Sequence, residues 1–140
     1  MKRIYMGDVM ERIKEIPDET VDTMITSPPY YALRNYGDDS QWGGEKTFKE
    51  YLAKMDKLME EVRRVLKPTG TAWVNLGDTY SGSNKAVVTG PKSFIFDEKP
   101  DIIETLKPKS RLGIPERFYI NCIDNGWIAR NNIVWYKHNS

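Results

Sequence analysis

Hydrophobic and polar positions along the chain follow two different periods, and each predicts an element. Val21-Asp22-Thr23-Met24-Ile25 is a short β-branched run bounded on its left by turn-forming residues, and it reads as a buried strand. From Thr47 to Leu66 the spacing becomes helical. Apolar residues recur at Phe48, Tyr51, Leu52, Met55, Leu58, Met59, Val62, Val65 and Leu66, while Lys54, Lys57, Glu60, Glu61, Arg63 and Arg64 make a solvated face. Thr47 is the expected N-cap, with Glu50 three residues on as in a capping box, and Pro68 and Gly70 are the expected stop. Thr71 to Leu76 then reads as a second buried strand. The resulting strand-helix-strand unit is expected to be parallel and right-handed.

The flanks are weaker. Arg3-Ile4-Tyr5-Met6 reads as a short strand broken by Gly7-Asp8, and Val9 to Ile16 has helical spacing with Asp8 placed to cap it. Pro115 introduces a helix over Glu116 to Asp124, with Phe118, Tyr119, Ile120 and Ile123 inward and Asn125-Gly126 ending it. Trp127 to Arg130 and Asn132 to Lys137 read as two strands. The pattern leaves open whether they form a tight hairpin or one bent ribbon. Ser81 to Lys109, rich in Ser, Gly, Lys and Pro, reads as a mobile insertion (81–110) within a single domain spanning 1–140.

Composition narrows the class. The chain has 140 residues, about one domain, and its 39% hydrophobic and 29% charged content is that of a soluble globular protein. No apolar run approaches the roughly 20 residues of a membrane span, and the N-terminus lacks a signal-peptide pattern, so no membrane partner and a cytoplasmic location are expected. The single cysteine, Cys122, excludes an intramolecular disulfide. With only His138 beside it, a structural zinc site is not expected, and no metal is. Cys122 is expected in the core and His138 at a frayed terminus. The net charge of +1 does not advertise nucleic-acid binding, so contact with DNA would need local basic clusters. Lys85, Lys92, Lys107, Lys109 and Arg111 make one, although Asp97, Glu98, Asp101 and Glu104 cut against it.

The chemistry-bearing stretch is Thr26-Ser27-Pro28-Pro29-Tyr30-Tyr31, directly after the Val21 strand. Two prolines remove ladder donors and push Ser27 out of the α region, so the backbone leaves the sheet stiffly. Ser27, the Pro28 carbonyl and the Tyr30 ring would then lie at the carboxyl edge of an open sheet, where α/β proteins bind ligands. Acceptors aimed at the exocyclic amine of a flat base favour the pyramidal nitrogen that must attack a methyl donor. A proline-stiffened loop with no such role is the plain alternative. Beyond it, Arg34 and Lys46 among Tyr31, Tyr36 and Trp42 could clamp phosphate and stack on an extruded base, or form an ordinary surface loop. Gly77-Asp78-Thr79-Tyr80 repeats the polar turn after a strand. Asn75, Asp78 and Tyr80 could line a base pocket, or carry structural hydrogen bonds.

Thr26 to Tyr30 resembles motif IV of the amino-group DNA methyltransferases, which modify cytosine N4 or adenine N6 using S-adenosylmethionine. Gly7-Asp8, Ile16-Pro17-Asp18 to Met24, Leu66-Lys67-Pro68-Thr69-Gly70 to Tyr80, and Gly113-Ile114-Pro115-Glu116-Arg117-Phe118 through Trp135-Tyr136-Lys137 resemble the same family, in its order. The resemblance implies an α/β, Rossmann-like methyltransferase fold and direct methyl transfer to a flipped base without a cysteine adduct. It makes Ser27, Pro28, Pro29 and Tyr30 catalytic, and Asp8, Thr26 and Ser27 cofactor-binding. Tyr31, Arg34, Tyr36, Asn75, Asp78 and Tyr80 become substrate-binding. Ser at position 27 leans toward cytosine N4.

No Phe-x-Gly-x-Gly turn follows any strand; Gly77, Gly82 and Gly90 lack the spacing. In the permuted subclass that starts with the Ser-Pro-Pro-Tyr half, that turn lies C-terminal to everything present here. The chain thus resembles a catalytic half with an incomplete sheet. An open edge would invite a complementary C-terminal fragment or a homodimer, unless the first strand pairs directly beside the Val21 strand. Methylation of RNA or protein, and a half-domain that binds DNA or a partner without cofactor, are the rival readings.

Overall fold

The computed structural model describes residues 2–38, 40–81, 106–136 and 138. Most of the expected insertion, including Lys85, Lys92, Gly82 and Gly90, lies outside the described residues. In chain order the elements are α1 (Val9–Arg12, continued by a 3-10 turn at Ile13–Glu15), β1 (Val21–Thr26), α2 (Phe48–Val65), β2 (Leu66–Val74) and α3 (Ile114–Asp124).

Helix α2 is the hub, as its stripe predicts. The Thr47 hydroxyl accepts from the Glu50 amide at 3.1 Å, and eight apolar residues from Phe48 to Val65 are buried. They pack with Ile13, Tyr31, Trp42, Leu112, Ile114 and Phe118 in one core. Each fully buried large apolar side chain contributes about 1.5–3 kcal/mol, so this stripe dominates the stability of the unit. The chain passes from α2 into β2 without a loop. The Leu66 amide still bonds the Val62 carbonyl while its own dihedrals are already extended. Pro68-Thr69-Gly70, the expected helix stop, instead lies inside β2 as a bulge. Val21 pairs with Leu66 and Thr23 already with Thr71, so Lys67 to Gly70 stand opposite Asp22. The Lys67 ammonium reaches back across the bulge to the Asp22 carboxylate at 2.6 Å.

Strands β1 and β2 are parallel, in register from Thr23↔Thr71 to Thr26↔Val74. The fold is α/β with a small parallel sheet, in agreement with the strand-helix-strand pattern. The sheet is not buried on both faces, however. Val21, Met24, Ala72 and Val74 pack toward the core, whereas Ile25 is 79% exposed and Trp73 51% exposed. Only one helical layer covers two strands among the described residues, so the other face meets solvent.

Three further expectations are corrected. Arg3 to Met6 forms no strand, and Ile4 and Met6 are exposed: among the described residues the sheet has only β1 and β2. Trp127–Arg130 and residues 132–136 form no strand either; Ile128, Ile133, Val134, Trp135 and Tyr136 stand exposed in chain without regular secondary structure. Ile120 and Ile123 face outward. The inward stripe of α3 is Ile114 and Phe118, with half-buried Cys122 beside them, because i, i+4, i+8 is the row that meets α2. The C-terminus of α3 closes as the Asn-Gly pair predicts. Gly126 has φ +82°, its amide bonds the Ile123 carbonyl, and the Trp127 amide bonds the Cys122 carbonyl, both at 2.9 Å.

Candidate active site

β1 and β2 run parallel and so deliver their carboxyl ends to one edge. Ser27 to Tyr31 leave from β1, and Asn75 to Tyr80 from β2. The Asn75 amide bonds the Thr26 carbonyl at 2.9 Å, carrying the ladder one step past the strands. Its side chain donates to the Ser27 hydroxyl at 3.5 Å, a weak bond that leaves Ser27 exposed. Pro28 is buried and Pro29 half-buried. The Pro29 carbonyl accepts from the Tyr51 hydroxyl at 2.9 Å.

Tyr30 is half-buried and held from two sides. Gly43, at φ +88°, closes over its backbone: a Cβ at Gly43 would stand 2.7 Å from the Tyr30 carbonyl oxygen. The Ala32 amide bonds the Gly43 carbonyl at 2.8 Å and fastens that approach. The ring of Tyr30 lies against Gly77, where a Cβ would fall 2.6 Å from Cδ2 and Cε2. Ser27 and Tyr30 are therefore both at the strand ends, and neither is lost into the core.

The remaining sequence-predicted residues divide. Arg34 and Tyr36 are exposed on the following loop, where the Gln41 side chain braces the Arg34 carbonyl and the Tyr36 amide. Asn75 and Tyr80 are exposed on the β2 side, with Tyr80 bridged to Arg111. Tyr31 is corrected. It is 2% exposed, tilts against the Tyr51 ring at 5.7 Å and donates to the Lys46 carbonyl, so it packs the core and offers no face to a base. Trp42 is buried likewise, under the Lys54 ammonium. Asp78 is nearly buried and holds the N-terminus of α3: its carboxylate accepts from Gly113 and Ile114 amides and from Arg111. Asp8 caps α1 through the Met10 amide at 2.7 Å, well within the expectation that it is an N-cap, and no hydrogen bond ties it to Thr26 or Ser27.

Sequence reading missed Tyr51, which appeared only as a core position of α2. Its hydroxyl was the available signal, since a buried phenol must find an acceptor. Burial, reinforced by Glu45 and Tyr30, pushes this phenol well above the ordinary tyrosine range, which keeps it a donor. Burial also pushes the Cys122 thiol up to about 11, in keeping with a core role. Hollows between α2 and α3, lined among others by Asp56, Arg63, Cys122 and Arg117, share no residue with the Ser27 corner.

For S-adenosylmethionine the donor set fits in part. Exposed Ser27 and half-buried Thr26 supply hydroxyls at the strand end, and the exposed Asp8 carboxylate supplies an acceptor suited to an adenine amine. The glycine turn that would cradle the methionine end has no counterpart in the sequence. No helix among the described residues is long and apolar enough to cross a membrane.

Comparison with known proteins adds an independent line. A family model described as DNA methylase matches residues 21–140. The chain is 37% identical to the Type II methyltransferase M.XycI of Xanthomonas campestris pv. cyanopsidis, 36% to M.Cfr9I of Citrobacter freundii and 35% to M.SmaI of Serratia marcescens. Each match covers 98% of this chain but only 47%, 47% and 48% of the relative. The chain spans about half the length of the curated relatives it matches. No solved structure matches.

Proposed function

The chain belongs to the DNA methylase family of amino-group methyltransferases, and from that premise we propose that it is the catalytic half of an enzyme that methylates an exocyclic amine of a DNA base, cytosine N4 in preference to adenine N6. Bound S-adenosylmethionine would supply the activated methyl group, with Asp8, Thr26 and Ser27 holding it. The Ser27 hydroxyl and the Pro28 carbonyl accept from the amine hydrogens, which draws the nitrogen lone pair out of conjugation as the nitrogen attacks. The Tyr30 ring stacks on the flipped base, and Arg34, Tyr36, Asn75 and Tyr80 border the pocket. Flipping costs a few kcal/mol, roughly, which stacking and edge hydrogen bonds must offset. The observation that carries the reading is the joint placement of exposed Ser27 and Gly77-backed Tyr30 at the carboxyl ends of two parallel strands.

The exposed face of the sheet and the exposed apolar residues Ile128, Ile133, Val134, Trp135 and Tyr136 support a second element of the proposal. This half works with a complementary segment that supplies the glycine turn and covers the bare surface, as in the permuted subclass; a homodimer is the other arrangement that would cover it. The test is transfer of tritiated methyl from S-adenosylmethionine to DNA, tRNA and protein by the full-length protein, followed by nucleoside analysis. Label in DNA as N4-methylcytosine is the expected result. Label only in RNA or protein would overturn the substrate assignment, and no label with the complementary segment supplied would overturn the enzymatic one.

A further inference from the structure

Two prolines in succession create a problem that the molecule must solve from outside the motif. Neither Pro28 nor Pro29 has an N–H, so the turn cannot be pinned by its own backbone donors at those positions. Its geometry has to be set through its carbonyls and through what the side chains rest on. Helix α2 meets the first need. Tyr51 is 0% exposed near the N-terminal end of the helix's apolar stripe, a position where phenylalanine would pack equally well. The hydroxyl it carries instead is aimed at the Pro29 carbonyl, 2.9 Å away. That bond occupies the Pro29 carbonyl and ties the proline corner to the helix. The phenol's raised titration range keeps the donor proton in place at any working pH.

Gly77 meets the second need. Its φ is not in the left-handed region, so its backbone does not require glycine. What requires it is the ring above: any side chain would drive into Cδ2 and Cε2 of Tyr30 at 2.6 Å. The missing Cβ is a seat for the aromatic plane.

Resting on the methyl-transfer reading, we propose that Tyr51 and Gly77 are positioning residues of the site: Tyr51 clamps the Pro29 carbonyl and so fixes the proline corner that carries Ser27 and Tyr30, and Gly77 sets the plane on which Tyr30 stacks. Neither touches substrate. A residue that merely satisfies a buried hydroxyl would affect stability and leave the chemical step alone, which separates the two roles.

The experiment is single-turnover methyl transfer to DNA, with cofactor and DNA dissociation constants measured in parallel, for full-length wild type, Tyr51→Phe and Gly77→Ala. Misplacement on the scale of an ångström costs up to about a hundredfold in rate, so Tyr51→Phe is expected to slow the step about ten- to hundredfold with cofactor affinity within about twofold. Gly77→Ala is expected to slow it similarly and to weaken DNA binding, since it tilts the stacking ring. Gly77 lies outside the core, so this variant carries the test if Tyr51→Phe fails to fold. Wild-type rates in both variants would overturn the inference alone. A wild type inactive with its complementary segment supplied would overturn the methyl-transfer reading as well.

Discussion

The most exacting stability prediction concerns Asp78, which sequence reading placed against substrate. Its carboxylate is 11% exposed and fully engaged. One oxygen accepts from the Thr79 amide at 2.9 Å and the Ile114 amide at 3.0 Å; the other accepts from the Gly113 amide at 3.1 Å and from Arg111 at 2.8 Å. Gly113 is the N-cap of α3 and has no side chain to cap with, so the cap comes from a residue 35 positions earlier. In Asp78→Ala the first turn of α3 loses both partners. A lost N-cap costs about 1–2 kcal/mol, and a second amide left without an acceptor about 1 kcal/mol more. Arg111 is exposed and adds little. The expected loss is about 2–3 kcal/mol, with Asp78→Asn, which keeps one acceptor oxygen, losing roughly half of it. Urea unfolding of the full-length protein reads this as a lowered midpoint at unchanged slope, by about 1 M for a slope of 2–3 kcal/mol/M. A loss below about 0.5 kcal/mol, or wild-type stability with weakened DNA binding, would refute the capping argument and return Asp78 to the substrate wall.

Other perturbations test separate parts of the account. Tyr30→Ala should abolish methyl transfer while costing about 1–2 kcal/mol of stability for a half-buried ring, and normal turnover by a folded variant would refute the stacking role. Ser27→Ala should lower turnover more than cofactor affinity; the reverse, measured by calorimetry, would reassign Ser27 to cofactor binding. Arg64 donates to the Ile13 and Ile16 carbonyls at 3.0 Å and pairs with Asp18 and Glu61, tying α1 to α2, so Arg64→Ala should speed amide exchange selectively over residues 9–20. Uniform exchange would show that the tie is idle. Cys122 should alkylate roughly a hundredfold more slowly at pH 8 in the native than in the unfolded protein, given a thiol raised from 9.0 to about 11 by burial. Its linkage has a definite sign: the neutral thiol favours the native state, so stability falls as pH rises from about 9 through about 11. Equal labelling rates would place the thiol in solvent.

What could be read in advance tracks how local the cause is. The Thr47 cap, the α2 stripe and the Asn125-Gly126 ending were legible because each is set by contacts within a few residues. The bulge in β2 was not, because Pro68 and Gly70 look the same to a helix end and to a strand that must bend. Ile120 and Ile123 were assigned inward because apolar character does not say which of two rows meets α2. The placement of Ser27 and Tyr30 at the end of β1 was legible because proline stiffness is intrinsic to the stretch that carries them. Tyr31 was misassigned because adjacency in sequence says nothing about which of two neighbouring rings turns inward.

The order of residues alone determined the elements whose causes are local, a capped amphipathic helix and a proline corner, and marked the β1 segment that pairs with distant β2. Tertiary structure decided everything that depends on which surfaces meet. It aimed the Asp78 carboxylate at the N-terminus of α3, turned a core tyrosine's hydroxyl to the Pro29 carbonyl, and left Ile25 and Trp73 in solvent where the pattern read buried strand. The reason is that a short-range preference is satisfied within the segment that carries it, whereas burial is a property of a pair of surfaces, and one member of the pair says nothing about where the other will be.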